Sequence, residues 1–325
     1  MKKQILYLLI IIVIILSGCK VDLPIAVCGL PDGIVYSNEV FPESKPDRKD
    51  ICANPLNINE FVYVAYADNQ HGIWKYNLLT SDAELVININ SDFKPDWSVT
   101  DWLVFTSQNQ IYKCKSNGDS LTQLTFEDRN YHPTWSPDGS QIIFEKNKDD
   151  TIATSIVTID KDGNFIKAVE SIDYAGDTFI WSPDGNKVAF WSASNMFEEY
   201  LIAWFNVATP ENIYFLNKSV PKHEIVDNYI QWYSDSENIL WSGNQSLYKT
   251  NIYTGDTYLV KYGCEYDYYD FTILADGQTI ISRRQELTFV PSTDEEAASM
   301  GFGTIYVDYD LVKLNPDGTE EIIPY

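Results

Sequence analysis

The clearest pattern along the chain is an aromatic residue, a short polar turn and an alternating apolar run, in that order. It reads Trp135-Ser136-Pro137-Asp138-Gly139 and then Ile142-Ile143-Phe144, and it returns as Trp181-Ser182-Pro183-Asp184-Gly185 before Val188-Ala189-Phe190. The phrase predicts a hairpin: the aromatic closes one strand, Pro presets φ, Gly takes the left-handed position, and the apolar residues open the next strand. A second marker follows each hairpin. It is a strand, a turn with Gly or Asp, and a strand, as in Ile111-Tyr112-Lys113, Ser116-Asn117-Gly118-Asp119 and Leu121-Thr122-Gln123-Leu124-Thr125. The same arrangement recurs around Gly163, Gly255 and Gly318, with an early version at Ile73 to Asp82.

The strand-closing residues Trp97, Trp135, Trp181, Trp232 and Ile273 stand 38, 46, 51 and 41 residues apart. Such a period fits one four-stranded module per repeat and is short for alternating strands and helices. With the early version counted, modules start near residues 55, 93, 131, 177, 228 and 268. The sequence therefore predicts an all-β fold, a six-bladed β-propeller of four-stranded antiparallel blades over residues 55–325. The turn motif is eroded at Trp97-Ser98-Val99-Thr100-Asp101, at Trp232-Tyr233-Ser234-Asp235-Ser236 and at Leu274-Ala275-Asp276-Gly277.

The first eighteen residues have another character. Lys2 and Lys3 precede an apolar run from Ile5 to Leu16, and Leu16-Ser17-Gly18 leads directly into Cys19. This is the order of a secretory signal, with a run too short for a permanent span. The Leu-Ser-Gly-Cys junction resembles the lipobox of bacterial lipoproteins. That resemblance implies a signal peptide over residues 1–18 and acylation of Cys19, with an outer-membrane lipoprotein as the destination. Residues 19–54, rich in Pro and charge, predict a tether with at most one short strand, Ile34 to Ser37.

Removing residues 1–18 leaves 21 basic side chains against 47 acidic ones, a net charge of −26. Such a surface repels phosphate backbones, which excludes nucleic acid and bare anionic lipid as partners and leaves cations, basic protein patches and neutral glycans. The membrane enters only through the lipid anchor. Four further cysteines, Cys28, Cys52, Cys114 and Cys264, allow three pairings. Cys28 and Cys52 flank one non-repetitive segment and are the expected disulfide. No Cys or His spacing suits a metal, and Asp160-Lys161-Asp162-Gly163-Asn164, which resembles the start of a Ca²⁺ loop, lacks the distal Glu and reads as a turn.

Trp-Ser-Pro-Asp-Gly followed by an apolar strand, with Ile-Tyr and Leu-Thr strands after it, resembles the TolB-type propeller repeat, a relative in shape of WD-repeat proteins. The resemblance spans roughly residues 55–325. It implies the propeller fold, while its functional reach is broad, since similar repeats form binding propellers and the propellers of prolyl oligopeptidase-like peptidases. TolB also carries an α/β domain ahead of its propeller and is usually not a lipoprotein. Ala297-Ala298-Ser299-Met300-Gly301 only echoes a nucleophile elbow, which needs an α/β setting. No catalytic set and no cofactor motif is read.

Strand parity puts the tight turns on one face of the ring and the long segments, Ser192 to Tyr200, Asn217 to Asn228 and Gln285 to Gly303, on the other. The elaborated face, with Phe289 and Phe302 in its longest segment, is the expected binding surface. Glu265, Tyr266, Asp267, Tyr268 and Tyr269 alternate aromatics with carboxylates at the entry to the sixth blade, a pattern suited to a glycan or a basic peptide. His132 occupies the position of Lys94 in the preceding repeat, near the channel mouth, where it is a candidate binding residue; the competing reading is an exposed imidazole without a ligand. The expected function is a monomeric, non-catalytic module binding an envelope protein or a peptidoglycan-associated partner. The alternative is a propeller that binds or cleaves carbohydrate.

Overall fold

The computed structural model describes residues 35–40, 48–67, 69–147, 154–172, 175–194, 199–221, 229–243, 246–263, 266–291 and 302–325. Among these there are strands and turns and no helix. A lead-in strand β1 (Val35–Val40) precedes the ring. The first blade is β2 (Lys49–Ala53), β3 (Glu60–Ala67), β4 (Gln70–Asn77) and β5 (Asp82–Ile87), and the second is β6 (Asp96–Trp97), β7 (Trp102–Ser107), β8 (Gln110–Lys115) and β9 (Thr122–Gln123). The third holds β10 (Arg129–Trp135), β11 (Gln141–Asn147), β12 (Thr154–Asp160) and β13 (Phe165–Ile172). The fourth holds β14 (Ala175–Trp181), β15 (Lys187–Ser194), β16 (Glu199–Asn206) and β17 (Thr209–Pro221). The fifth is β18 (Ile230–Trp232), β19 (Asn238–Gly243), β20 (Ser246–Asn251) and β21 (Thr257–Lys261), and the sixth is β22 (Tyr266–Ile273), β23 (Ile280–Pro291), β24 (Phe302–Leu314) and β25 (Glu320–Ile323). Each blade is a four-stranded antiparallel meander, so the fold is the six-bladed propeller that the repeats predict.

The Ser-Pro-Asp-Gly turns form for a local reason. Ser136 Oγ accepts from Gln141 N (2.9 Å) and donates to Asp138 Oδ1 (2.6 Å), while Gly139 takes φ 69°. Ser182, Asp184 and Gly185 repeat the arrangement. The eroded copies build the same turn, because Asp101 (φ 63°), Ser236 (φ 55°) and Gly277 (φ 70°) take the left-handed place and donate to the carbonyls of Ser98, Tyr233 and Leu274. Their blades have the expected strands. The first blade begins earlier than residue 55, with Lys49–Ala53 as its innermost strand.

The core is divided into six apolar clusters, one at each junction between neighbouring blades. The junction of first and sixth blades closes the ring. No strand is exchanged there between blades; instead Ala53 N donates to Thr272 Oγ1 (3.0 Å) and Ile51 N to Asp270 Oδ1 (3.1 Å). The Arg48 guanidinium donates to the carbonyls of Ile323 (2.9 Å) and Pro324 (3.0 Å) and lies 4.1 Å from the Tyr325 ring. Outside the ring, β1 runs parallel to β24, pairing Val35 with Phe302 and Val40 with Tyr306.

In the segment expected as a long loop from Gln285 to Gly303, the described residues 285–291 and 302–303 are paired strand. Pairing of β23 with β24 continues from Gln285–Tyr309 to Pro291–Gly303, beyond the point where β22 ends its ladder at Tyr266–Glu286. Alternating Leu287-Thr288-Phe289-Val290 and Ile305-Tyr306-Val307 carry it as strand. It projects on the side of the links between blades, the elaborated face.

Candidate functional site

The innermost strands set one residue of each blade at the same height in the channel, three positions before the strand-closing residue. These are Asp50, Lys94, His132, Thr178, Tyr229 and Asp270. Four of them have left-handed backbones: Asp50 (57°), His132 (51°), Thr178 (76°) and Asp270 (44°). At each of the four the ladder between first and second strands shifts register. For a β-branched residue such as Thr178 this conformation is rarely adopted without a surrounding structure that enforces it. A second tier follows two residues on: Cys52, Asp96, Thr134, Ile180, Gln231 and Thr272. Its polar members tie neighbouring blades together, as Asp96 Oδ2 accepts from Trp135 N (2.6 Å), Thr134 Oγ1 donates to Phe179 O (2.9 Å) and Gln231 Oε1 accepts from Ile273 N (2.9 Å).

Four members of the first tier meet across the channel. The Tyr229 hydroxyl donates to Asp50 Oδ1, and the Asp50 amide donates to Asp270 Oδ2 (2.5 Å). Lys94 Nζ donates to Phe271 O (2.7 Å) and stands 5.0 Å from the Tyr229 ring. Burial, with Asp270 beside it, pushes the Asp50 carboxyl up to about 6, against the opposing pull of Tyr229, Lys49 and Lys94. Burial also raises Asp270, although Lys94 and Arg283 oppose it, and it raises Asp96. Below this cluster the channel holds a cavity of about 200 Å³, bounded by Lys94, His132 and Thr178 and reaching Trp135, Trp181 and Trp232 at the tight-turn end. It mixes indole faces with amide, hydroxyl and carboxyl groups, a lining suited to holding a ligand.

The sequence-expected residues are distributed differently. His132 is not a bare exposed imidazole: its Nδ1 lies 3.2 Å from Glu145 Oε2 and its ring 4.2 Å from the Phe93 ring. Tyr268 and Tyr269 belong to the core and not to a binding surface, because β22 is an innermost strand with both faces covered. Tyr268 donates to Glu320 Oε2 (2.8 Å), and Tyr269 meets Tyr309 edge to face at 6.5 Å. Tyr266 is half-buried with the Arg284 guanidinium 4.1 Å from its ring, and half-buried Asp267 has its pKa raised by desolvation. Cys52 is a buried free thiol among the described residues, and Cys28, its expected partner, lies outside them. The Cys52 side chain faces Asp96, with Sγ 3.7 Å from Oδ1, and burial pushes its pKa far up, which keeps it protonated. Cys19, Cys28, Cys264 and Glu265 lie outside the described residues, as do the side chains of Phe289 and Phe302. Among the described residues no three His, Cys, Asp or Glu are grouped to hold a metal ion. Asp160 caps a turn, accepting from the amides of Asp162 (2.9 Å) and Asn164 (2.8 Å).

Asp50, Asp96, Tyr229 and Asp270 were not among the expected site residues. The signal for them is the alignment that pairs His132 with Lys94, extended to all six repeats.

No family model and no curated protein sequence matches the chain. Among solved structures it is similar to TolB from Agrobacterium tumefaciens, with TM-score 0.59 and 14% identity over 77% of this chain and 86% of that one. It is similar to TolB from Acinetobacter baumannii at TM-score 0.52 and 14% identity, over 81% and 65% of the two chains. An oligogalacturonate lyase from Vibrio parahaemolyticus matches at TM-score 0.52 and 12% identity, over 84% and 79%. These neighbours include enzymes as well as TolB proteins, so the shared shape carries the fold and no activity.

Proposed function

The chain is a TolB-like six-bladed β-propeller in fold, and on that premise we propose that it is a lipid-anchored, non-catalytic binding module of the cell envelope. Its partner is an envelope protein or a peptidoglycan-associated one, engaged by the face on which the links between blades and the β23–β24 hairpin lie. The observation that supports this reading is the hairpin. Its strands run 12 and 13 residues and continue past the end of their own blade on that face alone. A projecting two-stranded arm braced by β1 offers a partner both a surface and main-chain pairing groups. The channel cluster joins Asp50, Lys94, Tyr229 and Asp270 to one another rather than leaving a nucleophile beside a base, which also supports binding over chemistry.

The test compares envelopes carrying the wild-type protein with envelopes carrying a form whose hairpin is cut back to Glu286 and Val307 and closed by a short Gly-rich turn. Crosslinking and pull-down should lose the partner with the trimmed form while circular dichroism stays unchanged. An identical partner set would remove this face from consideration.

A second reading has its own observation. Tyr214 stacks on Trp204 at 4.4 Å, and Tyr253 meets the same indole edge to face at 5.7 Å, leaving two exposed phenol rings on the outer wall of the fourth and fifth blades. Such a ledge suits a sugar ring. A glycan array separates the two readings, since a Tyr253-dependent glycan signal favours carbohydrate.

A further inference from the structure

Half of the blades place an aromatic pair between themselves and the preceding blade, and the junction of the second and third blades has no such pair and an open cleft in its place. In the first, second and fifth blades an aromatic on the third strand pairs with an aromatic on the second: Trp74 with Tyr63, Tyr112 with Phe105, and Tyr248 with Trp241. The latter two pairs are stacked, at 6.1 and 4.7 Å between ring centroids. In the fourth blade the third-strand residue is Ala203, but Phe179 and Phe205 stand 5.3 and 6.1 Å from Phe190 and fill the space. In the sixth blade the equivalent pair is Ser282 and Val312, and Val312 is fully buried beside Tyr268 and Phe271 in the same cluster. In the third blade the row reads Phe144, Val157, Ala168. Neither Val157 nor Ala168 can supply a ring, and a cleft of about 360 Å³ lies over them. Phe144 and Leu124 wall it inside. At its rim stand Phe126 and Phe165, 74% and 69% exposed, two of the most exposed large apolar side chains described.

We propose that this cleft is a docking site for one aromatic side chain of a protein partner, which takes the place of the ring the third blade lacks. The repeat fixes the shape: a flat ring lying over Val157 and Ala168, directed towards Phe144 and clasped by Phe126 and Phe165. The cleft is open to the outer wall and roomy enough for the largest side chain, so it suits an anchor residue on a larger surface better than a free molecule needing full enclosure. Of the two charged residues lining the cleft, Lys146 is paired with Asp128 (2.8 Å) while Glu127 is exposed, and the chain carries a net charge of −24, so the segment bearing the ring is basic. The site lies on the outer wall and is separate from the face assigned above; it stands whether or not that reading does.

The test is titration of the isotope-labelled mature chain with acetylated Lys-Trp-Lys amide, followed by NMR. Millimolar binding should shift the amides of Leu124–Glu127 and Val157–Ala168, and Lys-Ala-Lys amide should bind about tenfold more weakly or not at all. Val157→Tyr introduces the ring that the first, second and fifth blades carry and should abolish these shifts. Phe126→Ala, at an exposed position that leaves the fold intact, should weaken binding about threefold or more. Equal binding of the Trp and Ala peptides, shifts confined to other blades, or wild-type affinity in folded Val157→Tyr or in Phe126→Ala would each overturn the proposal. So would a preference of about tenfold or more for free indole over the Trp peptide, which would make the cleft a small-molecule site.

Discussion

The hydroxyl of Ser182 accepts from the Lys187 amide (2.9 Å) and donates to Asp184 (2.5 Å), so a single oxygen closes a turn at the foot of a blade. Those bonds, with the Lys187 ammonium 3.0 Å away, hold the Asp184 carboxyl well below the usual carboxylate range against the opposing effect of burial. Ser182→Ala strands a buried amide and should lower stability by about 1–2 kcal/mol in urea unfolding. The channel carboxyls work in the opposite direction. Asp50 is raised from 3.8 to about 6, so the folded state holds this proton more tightly than the unfolded chain does. Its contribution therefore favours folding at low pH and is lost as pH rises between those two values. Asp50→Asn keeps an acceptor for Tyr229 and removes the charge; at pH 7.5 it should be more stable than wild type by about 2 kcal/mol, with a flatter profile in thermal scans from pH 4 to 7. An unchanged profile would contradict the buried charge at this position. At this scale the turns were legible in the sequence because Ser, Pro, Asp and Gly act on neighbours within five residues. The Asp50–Tyr229–Asp270 cluster was not, because its members stand 179 and 220 residues apart and meet only once the ring is closed.

Among elements, β2 is the one the sequence concealed. It lies behind a Pro-rich, charged lead-in, carries Ala53 where other blades have an aromatic or Ile, and is buried on both faces, so no alternation marks it. The same two-sided burial misled the reading of Tyr268 and Tyr269, since aromatics beside carboxylates look like a surface until the strand is seen to be innermost. The β23–β24 hairpin was read as a loop on account of its length, although its alternation is that of strands. Arg48, just ahead of β2, holds the last strand by two carbonyls and by the Tyr325 ring, whose hydroxyl in turn donates to Tyr309 O. Arg48→Ala should cost about 2–4 kcal/mol and raise hydrogen exchange in Glu320–Ile323 above that of other outer strands. Arg48→Lys should recover less than half of the loss, because an ammonium cannot reproduce the planar fork that spans two carbonyls.

At the scale of the molecule, the proposed anchor would fasten an acidic ring to the envelope. If Cys19 is the acylated residue, Cys19→Ala should move the protein from the membrane to the soluble fraction and abolish fatty-acid labelling. Persistent labelling would contradict the anchor. The lead-in strand β1 lies along β24, so the N-terminal segment joins the propeller at the projecting arm and not at the tight-turn face. Blade number and the sidedness of the loops were readable from spacing and strand parity, both of which are properties of the chain alone. The under-filled junction between second and third blades was not, since it emerges only when equivalent positions in different blades are compared in space.

Because each blade's four strands come from one unbroken stretch and the seam is joined by side chains such as Arg48, Asp270 and Thr272, a blade behaves as a cassette. Duplicating or deleting any of the first five stretches would change the circumference of the ring without rethreading any strand, whereas the sixth also carries β1 from the start of the chain.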